Sequence, residues 1–156
     1  MDTSLSGRLL DHGHELRQRV YYEDTDLSGI VYHANYLRWF ERARSDVLRM
    51  LEIDQRAAIE AGEGAYAVAD VQMRYLRPAL LDDDIVIHTR CSELKAASVR
   101  MVQEAKRDGE TICSATFRVG FVSPNGRPRR QPEAWRHAFT RILDTSSDTS
   151  SLGEHA

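Results

Sequence analysis

The sequence lacks several features that define special classes of protein. It has only two cysteines, Cys91 and Cys113, which are too few for a disulfide framework and do not have the spacing of a zinc site. No apolar run approaches the roughly 20 residues that a membrane-spanning helix needs. Residues 1–19 contain no apolar stretch of the signal-peptide type. We therefore expect a cytoplasmic protein with no membrane span, in which both cysteines are small buried apolar residues.

A basic excess is also missing, since 21 Lys and Arg residues face 24 Asp and Glu residues. The formal net charge of -3 disfavours a nucleic-acid-binding protein, which normally carries a clear basic surplus. Hydrophobic residues make up 42% of the chain and charged residues 29%. This balance is typical of a folded globular domain, and the length fits one such domain.

Both ends of the chain lack hydrophobic periodicity. We expect residues 1–16 to form a flexible N-terminal segment and residues 144–156, which are rich in Ser, Thr and Asp, to form a disordered tail. Residues 17–143 then make up the folded domain. The run from Asp11 to His14 resembles a metal chelate, but no further ligands accompany it.

Inside this domain the hydrophobic pattern predicts strands and helices in a fixed order. A helical stripe begins near Asn35, a plausible N-cap, and ends near Leu51. The Asp108-Gly109 pair predicts a hairpin turn. The order indicates an α+β fold in which one amphipathic helix packs on an antiparallel sheet, and association of two copies would cover the rest of the sheet. The predicted strands cover residues 18–24, 65–76, 84–94, 97–106 and 111–122, and a terminal helix covers residues 132–143.

The densest group of reactive side chains lies between Tyr21 and Tyr36, just before the long helix. Unpaired backbone N–H groups at a helix start favour an anion or a developing oxyanion. If residues 18–24 are extended, alternation places Tyr22, Asp24 and Asp26 on one side of the strand. The simpler alternative is that these acidic residues only cap the helix.

The run YYEDTDLSGIVYHANYLRWFERAR resembles the signature of the YbgC-like branch of the 4-hydroxybenzoyl-CoA thioesterase family. Weaker matches follow at residues 71–75, 77–79 and 81–83. The resemblance spans residues 18–130. It implies a hotdog fold, in which an antiparallel sheet wraps around one long central helix, and a homodimer or homotetramer.

The resemblance also implies roles for three residues. Asp26 matches the catalytic carboxylate, which either attacks the thioester or activates water. His33 matches a position whose backbone N–H polarises the thioester carbonyl, and its side chain could orient water or Asp26. Tyr22 matches a tyrosine grouped with these two. No metal or redox cofactor is expected, because water and a carboxylate suffice.

The function implied is hydrolysis of acyl-CoA thioesters, with short-chain or aromatic acyl groups carried on CoA or on an acyl carrier protein. Two alternatives stay open. One is a non-catalytic hotdog protein that binds acyl carriers or a partner in the cell-envelope Tol–Pal system. The other is a hotdog dehydratase, which would release an enoyl thioester instead of a free thiol.

Overall fold

A computed structural model describes residues 5–145 of the chain, which form one six-stranded antiparallel sheet with a long helix packed on it. Along the sheet the strands follow the order β1-β2-β4-β5-β6-β3. The strands are β1 (Arg8–Leu10), β2 (Gly13–Arg19), β3 (Ala65–Tyr75), β4 (Asp84–Leu94), β5 (Ser98–Arg107) and β6 (Glu110–Val122), and the helices are α1 (His33–Met50), α2 (Gln55–Glu60) and α3 (Glu133–Ala138). This arrangement confirms the predicted α+β class.

Helix α1 lies against the sheet because its apolar residues recur every three or four positions. Its fully buried side chains include Trp39, Phe40, Ala43 and Val47. The helix begins at His33, two residues before the predicted start. Within residues 5–145 no helix is both long enough and apolar enough to cross a bilayer.

The central strands follow the predicted alternation of buried and exposed residues. Both cysteines are fully buried, as predicted, and burial raises the pKa of each thiol to about 12. The hairpin between β5 and β6 also matches the prediction. Asp108 and Gly109 both have positive φ angles, 51° and 81°, as a type I′ turn requires.

The N-terminal prediction is wrong for residues 8–16. These residues form β1 and most of β2, and β2 pairs with β4 from His14↔Thr89 to Arg19↔Asp84. The strand was missed because its polar sequence, GHELRQR, carries almost no apolar alternation. Strand β2 is ordered because it pairs with β4 and because the His14 side chain is buried. No group of three or more metal-ligating side chains exists among residues 5–145, so the metal-chelate reading has no support there.

At the other end, the backbone N–H of Asp144 donates to the carbonyl of Cys91 over 2.8 Å. The predicted terminal helix is present as α3 followed by a 3-10 turn from Phe139 to Ile142. The predicted tail lies, from residue 146 onwards, outside the described residues.

Strand β3 forms one edge of the sheet, and its apolar side chains are only partly covered. In an antiparallel pair, opposite residues point to the same face. Val68 and Val71 are opposite Val119 and Phe117 of β6, which are buried against α1. A bulge between Val68 and Asp70 shifts the in-and-out alternation of side chains by one residue. The side chains that face α1 are therefore apolar both before and after the bulge. This row, called the β3 row below, consists of Tyr66, Val68, Val71, Met73 and Tyr75.

Candidate active site

Asp26 lies in a short loop that leads directly into α1. The loop is closed by an isolated bridge between Thr25 and Val31, and the Asp26 N–H donates to the Ile30 carbonyl over 2.9 Å. Gly29 has a φ of 81°, a conformation that glycine adopts without strain. A second bridge joins Ile30 to Leu80, which attaches the loop to the segment before β4. The position of Asp26 is thus set by backbone pairing on both sides.

The carboxylate of Asp26 is held by one of its two oxygens. Oδ1 accepts hydrogen bonds from the Ser28 N–H (2.8 Å), the Ser28 hydroxyl (2.5 Å) and the Ile30 N–H (3.4 Å). These bonds, chiefly those from Ser28, lower the pKa of Asp26 below its ordinary value. Oδ2 accepts no hydrogen bond from any residue between 5 and 145. The loop therefore presents an ionised carboxylate with one oxygen open to solvent.

His33 is the first residue of α1, and the preceding residue, Tyr32, supplies no side-chain cap. Neither Asp nor Glu lies in the first turn of the helix. The imidazole packs against the Tyr75 ring with 4.7 Å between ring centroids, and the Tyr75 hydroxyl donates to the His33 carbonyl over 3.4 Å. The helix start thus offers backbone N–H groups and the positive end of the macrodipole to an anion.

Asn35 and Asp24 have a structural role here. Asn35 was predicted to be the N-cap of α1, but this prediction is wrong because Asn35 lies inside the first turn of the helix. Its side-chain NH2 donates to the Asp24 carbonyl over 2.7 Å, and the Tyr32 N–H donates to the same carbonyl over 3.0 Å. The buried Asp24 carboxylate accepts from the Tyr21 N–H over 2.9 Å. Together these bonds hold the residues before Asp26 against the start of the helix.

The predicted strand over residues 18–24 is wrong in its second half. Strand β2 ends at Arg19, and Tyr22–Asp24 form a 3-10 turn. Tyr22, Asp24 and Asp26 therefore do not share one side of a strand. The Tyr22 side chain is 77% exposed and makes no hydrogen bond or ring contact with the described residues. Asp26 lies inside the loop that the Thr25–Val31 bridge closes, and His33 lies two residues after that bridge. The Tyr22 side chain lies on the protein surface, before this loop.

Sequence patterns missed Tyr75, which contacts His33 across 42 positions of the chain. Tyr36, also on α1, packs edge-on against the Tyr75 ring, with 5.5 Å between the two ring centroids. No local pattern signals either contact, since β3 joins the site only through the tertiary fold. The chemistry available in this segment is an open carboxylate oxygen in the loop that leads into an uncapped helix start, with the Tyr75 ring packed on His33.

Comparisons with known proteins identify the family of the chain. Residues 20–143 match the family model of the thioesterase-like superfamily. The chain is 37% identical over 134 residues to the acyl-CoA thioesterase YbgC of Haemophilus influenzae, covering 83% of this chain and 98% of that protein. It is 36% identical over 118 residues to the acyl-CoA thioester hydrolase YbgC of Escherichia coli, covering 74% and 87%.

Among solved structures, a probable thioesterase from Bartonella henselae superposes with a TM-score of 0.72 at 34% identity. The match covers 77% of this chain and 99% of that one. The predicted hotdog fold is confirmed by this likeness. The site at the start of α1, the sheet around it and these relatives together place the chain in the thioesterase-like superfamily, in the branch of the YbgC acyl-CoA thioesterases.

Proposed function

We propose that this chain hydrolyses acyl-CoA thioesters to a free acid and CoA at the start of α1. The observation that carries the proposal is the Asp26 carboxylate, which keeps one oxygen open beside an uncapped helix start. A thioester needs both a group that delivers oxygen to its carbonyl carbon and a donor for the oxyanion that forms. Asp26 supplies the first, and the N–H of His33 supplies the second.

Two routes fit this carboxylate. In the first, Oδ2 of Asp26 attacks the carbonyl carbon, the C–S bond breaks and CoA leaves as a thiolate, and water then hydrolyses the mixed anhydride. In the second, Asp26 takes a proton from water as the water oxygen attacks the carbonyl carbon, and the C–S bond then breaks to release the acid and the CoA thiolate. The lowered pKa of Asp26 keeps its carboxylate ionised near neutral pH, which is the state that both routes require.

Tyr22 keeps a place in the proposal as a surface residue. Its exposed ring lies in the turn just before Asp26 and contacts neither Asp26 nor His33 in this chain. We assign it the binding of substrate at the entrance, with the acyl group on CoA or on an acyl carrier protein. The exposed Tyr75 ring beside His33 offers an aromatic surface on which the acyl group can pack.

The direct test is thiol release from a panel of acyl-CoAs, with product analysis by mass spectrometry. We expect stoichiometric free CoA and free acid. An enoyl thioester without free thiol would identify a dehydratase, and binding without turnover on any acyl-CoA or acyl carrier protein would identify the non-catalytic alternative. Either result would contradict the proposal.

We further propose that two copies associate along the β3 edge. Val68 and Val71 are 46% and 41% exposed, and an apolar edge strand pairs readily with a second strand. The substitution Val71→Lys is expected to convert the dimer to a monomer in sedimentation velocity, because a charge would be placed in the contact. Ile59→Lys, which adds the same charge to an exposed residue of α2, is the matched control. A Val71→Lys variant with the mass of the wild-type assembly would contradict the β3 interface.

A further inference from the structure

Arg44 is a partly buried cation with no acidic partner. Its Nη1 donates to Oε1 of Gln103 over 2.9 Å, and its guanidinium lies 4.0 Å above the centre of the Phe117 ring. It forms no ion pair with any residue between 5 and 145. Glu41, one turn earlier, accepts instead from the Ser45 hydroxyl over 3.2 Å. Burial lowers the pKa of Arg44 to about 10, so the side chain remains charged near neutral pH.

The guanidinium borders a cavity of about 140 Å³ between α1 and the sheet. This volume is about ten times the roughly 10–15 Å³ that one water molecule needs. Leu48, Val99, Met101 and Phe139 supply most of its apolar wall. A charged side chain beside an apolar wall is a costly arrangement unless a ligand supplies the missing anion. The cavity thus combines one cationic anchor with a mainly apolar wall, and Glu41, Ser45 and Gln55 are its other polar lining residues.

The cavity and the start of α1 lie on the same side of the helix. Arg44 follows His33 by eleven residues, close to three full turns, which is about 16 Å along the axis. Leu37 lies between them on that side and is 42% exposed. On this side of α1, Leu37 supplies an apolar contact, and the exposed Glu41 lies between Leu37 and Arg44.

The β3 row runs beside the same surface. Tyr75 packs on His33 at one end of the row, and Tyr66 and Val68 line the cavity at the other. The guanidinium of Arg44 lies over Phe117, which is paired with Val71, four residues before Tyr75. At about 3.3 Å per residue this separation is about 13 Å. An apolar strip thus leads from the proposed reaction site to an unpaired cation.

We propose that Arg44 binds the far carboxylate of an ω-carboxyacyl thioester, and so selects dicarboxylic acyl groups of medium length. The inference rests on the proposed function and names its substrate class. The thioester lies at His33 and Asp26, the methylene chain lies along the β3 row, and the carboxylate meets the guanidinium. Hydrolysis then adds one water and releases CoA and a dicarboxylic acid.

A carboxylate fits this position for two reasons. The planar guanidinium forms paired hydrogen bonds with a carboxylate, which a neutral acyl end cannot match. A plain alkyl end would exclude water from the guanidinium and add no hydrogen-bond partner beyond Gln103, which costs free energy. Glu41 also lines the cavity and its charge favours the charged form of Arg44, but its side chain is exposed and accepts from the Ser45 hydroxyl, so solvent screens its repulsion of the ligand.

The test compares sebacyl-CoA with decanoyl-CoA, which has the same chain without the far carboxylate. For the wild type we expect a higher kcat/KM for sebacyl-CoA. In Arg44→Gln this preference should fall by about ten-fold or more, the usual effect of losing a charged hydrogen bond. The loss should lie mainly in KM, because the carboxylate is remote from the reacting bond. Arg44→Lys keeps the charge and should retain part of the preference.

Arg42→Gln is the matched control, since Arg42 lies half a turn of α1 away from the side that carries His33 and should leave the preference unchanged. Urea unfolding checks that each variant is folded. A wild type that turns over decanoyl-CoA as well as sebacyl-CoA would overturn the inference but leave the thioesterase intact. So would an Arg44→Gln variant that slows both substrates equally.

A wild type that releases no thiol from either substrate would instead overturn the proposed function. The affinities of the two acyl-CoAs, measured by calorimetry, would then test the role of Arg44 without turnover. Tighter binding of sebacyl-CoA than of decanoyl-CoA by the wild type, but not by Arg44→Gln, would support it. Equal affinities would overturn it.

Discussion

Replacement of Asp26 by Asn or Ala is expected to lower kcat for thiol release by about 10²–10⁴-fold, the usual contribution of one positioned acid–base or nucleophilic side chain. The reason is that either substitution removes the open Oδ2 while the loop stays closed by the Thr25–Val31 bridge. Steady-state kinetics with an acyl-CoA that the wild type turns over well would measure the loss. Survival of wild-type turnover in both variants would refute the role of Asp26.

Two further variants separate chemistry from general disturbance of the loop. Glu23→Gln removes an exposed carboxylate from the preceding turn and should leave kcat unchanged. Ser28→Ala removes the strongest hydrogen bond that keeps the pKa of Asp26 low. The acid limb of the kcat/KM profile should then move to higher pH, because Asp26 becomes protonated sooner as the pH falls. An acid limb that stays at the same pH would show that the titration of another group causes it.

Replacement of Asp46 by Ala is expected to destabilise the fold by about 1–3 kcal/mol, the usual cost of leaving a buried hydrogen-bond donor without its acceptor. Oδ2 of Asp46 accepts from Nε2 of the fully buried His14 over 2.7 Å and from the Gly7 N–H over 2.8 Å. The variant leaves the buried His14 donor and the partly buried Gly7 N–H without an acceptor. Urea unfolding at a fixed protein concentration measures the change, and Glu41→Ala, an exposed acid of the same helix, should stay within about 0.5 kcal/mol of the wild type. An Asp46→Ala variant as stable as Glu41→Ala would contradict this account.

The same pair predicts a loss of stability in mild acid. Nε2–H of His14 donates to Asp46, so in the neutral ring Nδ1 carries a lone pair, and Nδ1 is buried without a hydrogen-bond partner in the described structure. Burial is the largest cause that lowers the pKa of His14 below 6.5, opposed by the bond to Asp46. Below that pH the unfolded chain binds a proton that the folded chain does not, so unfolding becomes easier as the pH falls. His14→Gln should flatten this part of the stability profile, and an unchanged slope would assign it to other groups.

Local patterns were enough for much of the domain. The 3.6-residue stripe of α1, the alternation in β4 to β6 and the Asp108-Gly109 turn are each properties of neighbouring residues, and each was predicted within about two residues. Asp26 and His33 were also identifiable, because they lie in one contiguous motif that leads into the helix. The family followed from that motif, since its residues are consecutive in the chain.

Other features depend on residues far apart in the chain. Strand β2 exists because β4 pairs with it and because Asp46 bonds to His14, neither of which a polar heptapeptide reveals. The contact of Tyr75 with His33 spans 42 positions, and Arg44 becomes an unpaired cation only when Phe117 and Gln103 enclose it.

The sequence by itself therefore determined the α+β class and the family, and it singled out the segment that we propose as reactive, because short-range periodicity and contiguous motifs carry that information. Only the tertiary structure revealed the ordered N-terminal strands, the exposed turn at Tyr22, the apolar β3 row and the position of the Arg44 charge near one end of that row. The physical reason is that burial and unmet hydrogen bonds are properties of the packed chain. They are settled by which distant segments exclude water from one another.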